Sequence, residues 1–117
     1  MDVTRLQARL AEFARERDWE QFHSPKNLSM ALAAEAGELL EVFQWLTEAE
    51  STQLRPGDKG WELARDELAD LQIFLLRLAD LLDVDLESAV DAKIARNESR
   101  YPAEQVRGNA TKYSHRD

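Results

Sequence analysis

The chain has 117 residues, the length of one domain, and its 15 basic and 23 acidic residues give a formal net charge of −8. The absence of cysteine excludes a disulfide framework, thiolate metal sites and a cysteine nucleophile. The negative charge disfavours binding to nucleic acid polymers and to anionic membranes, because both require basic surfaces.

Composition also favours an all-α fold, since four glycines and three prolines leave little room for the turns of an all-β protein. The first residues lack the basic and apolar regions of a signal peptide. Residues 71–82 form the longest apolar stretch, which is too short and too charged to span a bilayer. These features predict a cytoplasmic protein.

Hydrophobic spacing predicts four helices. They cover residues 3–17, 25–45, 61–82 and 86–100. Ser24 and Pro25 are typical first residues of a helix, and Pro102 ends the last one. Residues 47–60, which contain two glycines and a proline, are predicted to form the main loop. Residues 1–102 are therefore the predicted domain, and residues 103–117 a polar tail.

Predicted helix three, residues 61–82, is apolar around nearly its whole circumference. One row on it consists of Leu68, Leu71, Leu75, Leu78 and Leu82. Such a helix must be covered on nearly every side. Three other short helices cannot do this within one chain, so the sequence predicts that a second subunit packs on helix three.

Four acidic residues on predicted helices two and three form a candidate metal site. Glu35 and Glu38 are three residues apart, as are Glu67 and Asp70, so each pair shares one helix face. Glu35 and Glu67 also interrupt apolar stripes. If the two helices pack antiparallel, the carboxylates converge and require a cation, for which oxygen ligands favour Mg²⁺, or alternatively Mn²⁺. The competing interpretation is that both pairs are solvated surface charges.

Other residues have two interpretations each. Lys93, Asn97 and Arg100 share one face of predicted helix four and either bind phosphate oxygens or pair with acidic neighbours. Trp19 and Trp45 flank helix two and either stack on a base or pack internally.

Two more polar residues lie close to these elements. His23 either belongs to the start of helix two or contacts a ligand. Glu41 continues the acidic series of helix two but rotates away from Glu35, so it is interpreted as a surface residue or as one that supports the site from outside.

Two acidic motifs and several surrounding segments carry a resemblance to a known family. The motifs E-x-x-E and E-x-x-D are present as Glu35-Ala36-Gly37-Glu38 and Glu67-Leu68-Ala69-Asp70. The surrounding segments are residues 11–14, 17–23, 37–39, 43–45, 100–102 and 112–113. Over about residues 10–113 the chain resembles the MazG-like all-α nucleoside triphosphate pyrophosphohydrolases, and most of all their dCTP pyrophosphatase branch.

The resemblance implies a four-helix MazG-like bundle that assembles into dimers or a dimer of dimers. It implies Mg²⁺-dependent hydrolysis of a deoxynucleoside triphosphate, dCTP or a modified dCTP, to the monophosphate and pyrophosphate, as nucleotide-pool sanitation. Glu35, Glu38, Glu67 and Asp70 take the metal-ligand positions of the family. Nucleotide-contacting positions fall on Trp19, Glu20, Gln21, Phe22, His23, Trp45 and Phe74, and phosphate-contacting positions on Lys93 and Asn97.

The expected mechanism is attack by water, because no serine, cysteine or histidine is paired with a base in the motifs. Glu38 is the expected proton acceptor, and Lys93 and Arg100 are expected to hold the departing pyrophosphate. Two departures from the mammalian enzymes bear on base preference. Leu10 replaces a histidine near the base, and Phe74 replaces a tyrosine.

Two alternatives stay open at this point. One is a related pyrophosphohydrolase of the same superfamily that acts on dUTP or phosphoribosyl-ATP. The other is a non-catalytic helical oligomer whose acidic residues are only a solvated face.

Overall fold

The computed structural model describes residues 1–110, which form helices and turns without a strand. The α-helices are α1 (Val3–Glu16), α2 (Pro25–Phe43), α3 (Glu48–Ser51), α4 (Lys59–Leu81), α5 (Leu86–Arg100) and α6 (Ala103–Val106), with a 3₁₀ turn at Glu20–Phe22. The all-α prediction is confirmed. Within the described range, no helix has the length and apolar character needed to cross a membrane. Residues 112–113, which contributed to the resemblance, lie outside the described residues.

All four predicted helices are present, with small shifts at their ends. Helix α5 has the predicted bounds, whereas α2 ends at Phe43 rather than at residue 45, and α4 begins at Lys59 rather than at residue 61. The short helices α3 and α6 were not predicted. Helix α3 is stabilised by a capping box, in which Thr47 and Glu50 each accept a backbone hydrogen bond from the other, at 3.1 and 2.8 Å. Four residues are too few to show a hydrophobic period.

Helix α1 ends in a turn that fixes the start of the next segment. Asp18 has a φ of 55°, and the Trp19 amide donates to the Ala14 carbonyl at 2.9 Å. This is a Schellman motif with aspartate in the left-handed position that usually favours glycine. Helix α4 ends in the same way at Asp83, which also has a φ of 55°.

The contacts divide the chain into two compact units, Met1–Val84 and a second unit that begins at Asp85. In the first unit α2 and α1 both pack on α4. Helices α2 and α4 run antiparallel, because His23 before α2 contacts Arg77, whereas Val42 near the end of α2 lines a cleft with Leu63. The antiparallel arrangement assumed for the acidic site is therefore present. The second unit contains α5 and α6, and the single domain over residues 1–102 stays a prediction.

The apolar residues of α4 divide into an inner and an outer set. Ala64, Leu76 and Ala79 are buried. In contrast, Leu68 and Leu82 are 58% and 53% exposed within the single chain. Part of the apolar circumference that suggested a second subunit is therefore left uncovered by the described residues.

Candidate metal and nucleotide site

Three carboxylates from α2 and α4 converge on one point. Glu35 and Glu38 lie on α2 and Glu67 on α4, and one oxygen of each lies within 4.8 Å of the other two. The i, i+3 spacing places both α2 carboxylates on the same helix face, and antiparallel packing presents that face to α4. Asp70, the fourth acidic residue of the prediction, is half-buried on α4 and is not a member of this group.

This carboxylate group, Glu35, Glu38 and Glu67, is electrostatically unsatisfied. Oε2 of Glu35 and Oε2 of Glu67 are buried and have no hydrogen-bond partner among residues 1–110. Because a proton on Glu67 can be shared with Glu35, and because water is partly excluded and Glu38 lies nearby, the pKa of Glu67 is raised to about 7. Such a group is stabilised by a proton or by a cation, and its donors are all carboxylate oxygens, which suit a hard divalent ion.

An open cleft of about 440 Å³ adjoins the carboxylate group. Its lining residues are Glu38, Glu41, Val42, Leu63 and Glu67. Glu41 is exposed and lines the same cleft as Glu38 without belonging to the carboxylate group, which agrees with its interpretation as a surface or supporting residue. Val42 and Leu63 add an apolar wall, which the sequence gave no reason to connect with the acidic residues.

The first of the predicted base-contacting residues, Trp19, is held by an aromatic stack at the end of α1. The rings of Phe13 and Trp19 meet edge to face, with centroids 5.7 Å apart. The Arg17 guanidinium lies over the Phe13 ring at 3.6 Å and donates to the Phe13 carbonyl at 3.1 Å. Trp19 itself is 45% exposed, so part of its ring is free to contact a ligand.

Gln21, another predicted base-contacting residue, uses its side-chain amide within the protein. Its Nε2 donates to the carbonyl and the carboxylate of Asp18, at 2.9 and 3.1 Å. These bonds stabilise the turn after α1. A contact between the Gln21 amide nitrogen and a base would have to replace or share them.

The remaining predicted substrate-binding residues lie on several elements. Glu20 and Phe22 are exposed in the 3₁₀ turn, Trp45 is 86% exposed after α2, and Phe74 is half-buried on α4. The predicted phosphate-binding residues belong to the second unit. On α5, Lys93 and Asn97 are exposed and Arg100 is half-buried.

His23 lies between the 3₁₀ turn and α2, and its partner was missed in the sequence. Arg77 of α4 is only 7% exposed, and its Nε donates to Nδ1 of His23 at 3.3 Å. Burial and the Arg77 charge lower the pKa of His23, while Glu20 opposes them. The available signal was a single arginine in the apolar stretch of residues 71–82.

Comparison with known proteins decides the family. Residues 30–115 match the MazG-like family. The chain belongs to the MazG-like family. This membership confirms the predicted resemblance, and the all-helical structure agrees with it.

Individual relatives of this MazG-like chain include proteins named dCTP pyrophosphatase 1. Those of Rattus norvegicus and Homo sapiens are each 47% identical to it over 118 residues, which cover 97% of this chain and 65% of each relative. The chain thus spans slightly less than two thirds of the length of these curated relatives. A crystal structure of a pyrophosphatase from Archaeoglobus fulgidus matches with a TM-score of 0.78 at 36% identity, covering 87% of this chain and 94% of the other.

The raised pKa of Glu67 makes the stability of the metal-free protein depend on pH. Folded Glu67 binds its proton more tightly than unfolded Glu67, so its stabilising contribution is present below the usual pKa of 4.5 and is lost as pH rises through about 7. In EDTA, the melting temperature of the wild type should therefore fall more over this pH range than that of Glu67→Gln. Adding Mg²⁺ near pH 7 should raise the melting temperature of the wild type again, but not that of the variant.

The matched control for this measurement is Asp66→Asn, which removes the neighbouring exposed carboxylate on α4. Its pH profile should follow that of the wild type. Parallel profiles for the wild type and Glu67→Gln would contradict a raised pKa for Glu67.

Proposed function

We propose that this chain hydrolyses a deoxynucleoside triphosphate, dCTP or a modified dCTP, to the monophosphate and pyrophosphate, as cytoplasmic nucleotide-pool sanitation. The observation that carries the proposal is the carboxylate group, in which buried oxygens of Glu35 and Glu67 have no hydrogen-bond partner among the described residues. Membership of the MazG-like family and relatives named dCTP pyrophosphatase 1 support the choice of reaction and nucleotide.

The proposed cofactor is Mg²⁺, with Mn²⁺ as the alternative. Glu35, Glu38 and Glu67 would hold it, and Asp70, one turn further along α4, would join them after a rotation of its side chain. The donor set contains only oxygen, which fits these hard cations. When bound, the cation supplies neutralisation of the charge on the triphosphate.

Glu38 is the proposed proton acceptor. It is the exposed member of the carboxylate group and lines the cleft, so a water molecule in the cleft can reach it. Glu35 and Glu67 each keep one oxygen buried, which suits ligation better than proton transfer to a solvent molecule. Val42 and Leu63 line the apolar side of the same cleft, opposite in character to the carboxylates.

The proposed nucleotide contacts come from the aromatic residues around α2. Trp19, Phe22 and Trp45 are all exposed, and stacking on such rings stabilises a bound base by about 1–3 kcal/mol each. Stacking tolerates any base, so the base edge would be read by the other proposed contacts. These are Glu20, Gln21, His23 and Phe74, while Lys93, Asn97 and Arg100 are the proposed phosphate contacts.

The alternatives are affected differently by the structure. Buried oxygens on Glu35 and Glu67 argue against a non-catalytic protein whose acidic residues are only solvated. The resemblance places Leu10 and Phe74 at two departures from the mammalian dCTP enzymes that bear on base preference, so a related activity on dUTP or phosphoribosyl-ATP is kept as the alternative proposal.

We also propose that the chain acts as a homodimer or a dimer of dimers. Leu68 and Leu75 on α4 and Leu82 at its C-terminal end are exposed and recur every seven residues, so they form one row along the helix. An exposed apolar row of this kind is covered when a second helix packs on it, and a second copy of α4 offers the same row.

An assay of a nucleotide panel tests the proposed reaction. With Mg²⁺, the wild type should release monophosphate and pyrophosphate from dCTP or 5-methyl-dCTP faster than from dATP, dTTP or dUTP. Glu38→Gln should lower kcat by at least about 100-fold, because it removes the proton acceptor. Chromatography of the products measures both results.

The matched control is Glu48→Gln, which changes an exposed glutamate in the first turn of α3 and should keep wild-type activity. Pyrophosphate release from dUTP and from no other nucleotide of the panel would contradict the dCTP proposal and support the related dUTP pyrophosphohydrolase activity. No product from any nucleotide, or full activity in Glu38→Gln, would contradict the proposed mechanism.

Light scattering after size-exclusion chromatography tests the proposed assembly. The wild type should have the mass of two or four chains, and Leu68→Arg should shift it towards the monomer, because a charge would enter the apolar row. Gln53→Arg makes the same charge change in the exposed segment after α3 and should leave the mass unchanged. A monomeric wild type would refute the assembly.

A further inference from the structure

Arg77 is a buried cation in an otherwise apolar part of α4. It is 7% exposed, its Nε donates to Nδ1 of His23 at 3.3 Å, and its Nη1 lies 3.7 Å from Oδ2 of Asp80. Burying a guanidinium costs free energy, and an apolar side chain of similar size often stabilises such a position better. Stability therefore does not explain why an arginine is buried here, whereas its contact with His23 offers an explanation.

The bond to His23 fixes the chemical state of the imidazole. An arginine stays protonated and donates only, so Nδ1 of His23 must offer its lone pair. The neutral ring then carries its hydrogen on Nε2. Nε2 makes no hydrogen bond to any of residues 1–110. It is also absent from the buried side-chain atoms that lack a partner, so it is accessible and available to a ligand.

The same bond anchors the segment Trp19–His23 to α4. On its other side the segment is joined to α2, because Asn27 Nδ2 donates to the Phe22 carbonyl at 3.1 Å. The His23 amide donates to the Glu20 carbonyl at 3.1 Å, which closes the 3₁₀ turn. The contact with α4 thus sets the orientation of the imidazole ring. The 3₁₀ turn and α2 set the position of the His23 backbone.

We propose that Arg77 is a positioning residue, which orients His23 so that its Nε2–H donates to an acceptor on the edge of the bound base. The inference rests on the proposed function, in which the Trp19–His23 segment contacts the base. A neutral N–H donor recognises a carbonyl oxygen, such as the 2-carbonyl of a pyrimidine. Loss of one such bond corresponds to about a fivefold to tenfold rise in KM.

Protonation of His23 breaks this arrangement, because a hydrogen on Nδ1 then faces the Arg77 donor. The charged groups that act on the ring are Arg77 of α4 and Glu20 of the turn, and Asp80 lies 3.7 Å from Arg77. Gln7 of α1, which donates to the Leu76 carbonyl at 3.0 Å, is uncharged. Burial and, next to it, the charge of Arg77 lower the pKa of His23 from its ordinary value of 6.5. Nucleotide affinity should therefore persist below pH 6.5 in the wild type and weaken at a higher pH when Arg77 is removed.

Imidazole NMR and steady-state kinetics test the proposal together. Long-range proton–nitrogen spectra of the full chain should show His23 as the Nε2–H tautomer, with the signal identified through its loss in His23→Asn. Arg77→Met should raise the pKa of His23 and raise KM about fivefold to tenfold with less than a twofold change in kcat. Arg65→Met, which removes an exposed arginine from the same helix, is the matched control and should change neither quantity.

Substitutions at His23 keep the test decisive if Arg77→Met does not fold. His23→Leu should raise KM as much as Arg77→Met, and His23→Asn, which keeps an acceptor and a donor, should recover most of that loss. The double variant Arg77→Met with His23→Leu should be no worse than either single variant, because the two residues act as one unit.

Three outcomes would overturn the proposal while leaving the proposed function intact. These are an unchanged His23 pKa in Arg77→Met, the same rise in KM for Arg65→Met, or effects that add fully in the double variant. In contrast, absence of nucleotide hydrolysis by the wild type would refute the proposed function and the base contact with it, even if NMR shows the bond between Arg77 and His23.

Discussion

Two carboxylate oxygens, on Glu35 and Glu67, are held away from water and have no hydrogen-bond partner in the part of the chain that the structure describes, and the candidate site depends on this constraint. Carboxylates whose oxygens lie within 4.8 Å of one another cannot all remain ionised without compensation of their negative charge. A proton provides it in the metal-free chain, which is why the pKa of Glu67 is raised to about 7. A divalent cation provides it better near neutral pH, since it compensates more than one carboxylate at once. The same constraint therefore connects stability, pH and the proposed cofactor.

The antiparallel pair of α2 and α4 carries three different groups of side chains at successive positions along its length. His23 and Arg77 meet at one end, the carboxylate group lies further along, and Val42 and Leu63 form the apolar wall beyond it. Ten residues of α4 separate Glu67 from Arg77, which corresponds to about 15 Å of helix. The proposed base contact and the proposed metal ligands are thus held at a fixed separation by regular secondary structure, and only the Trp19–His23 segment depends on turns and caps.

Local patterns in the sequence predicted the helices and most of the carboxylate group, because helical periodicity and i, i+3 spacing are properties of neighbouring residues. Glu35 was informative since it interrupts an apolar stripe. Arg77 was missed because its partner is 54 positions away in the chain. Asp70 shares a face with Glu67 on an ideal helix, but side-chain rotation and the position of α2 decide which carboxylates converge. Helix α3 depends on a cap rather than on a hydrophobic period.

Titration of Mn²⁺ into the metal-free protein, followed by electron paramagnetic resonance of the free ion, tests most directly whether α2 and α4 hold a divalent cation. We expect saturable binding near neutral pH that competes with Mg²⁺, is lost in Glu67→Gln and is retained in Asp66→Asn. Equal, unsaturable binding by the wild type and both variants would show that the acidic residues act only as surface charges, and it would contradict the metal site on which the proposed reaction depends.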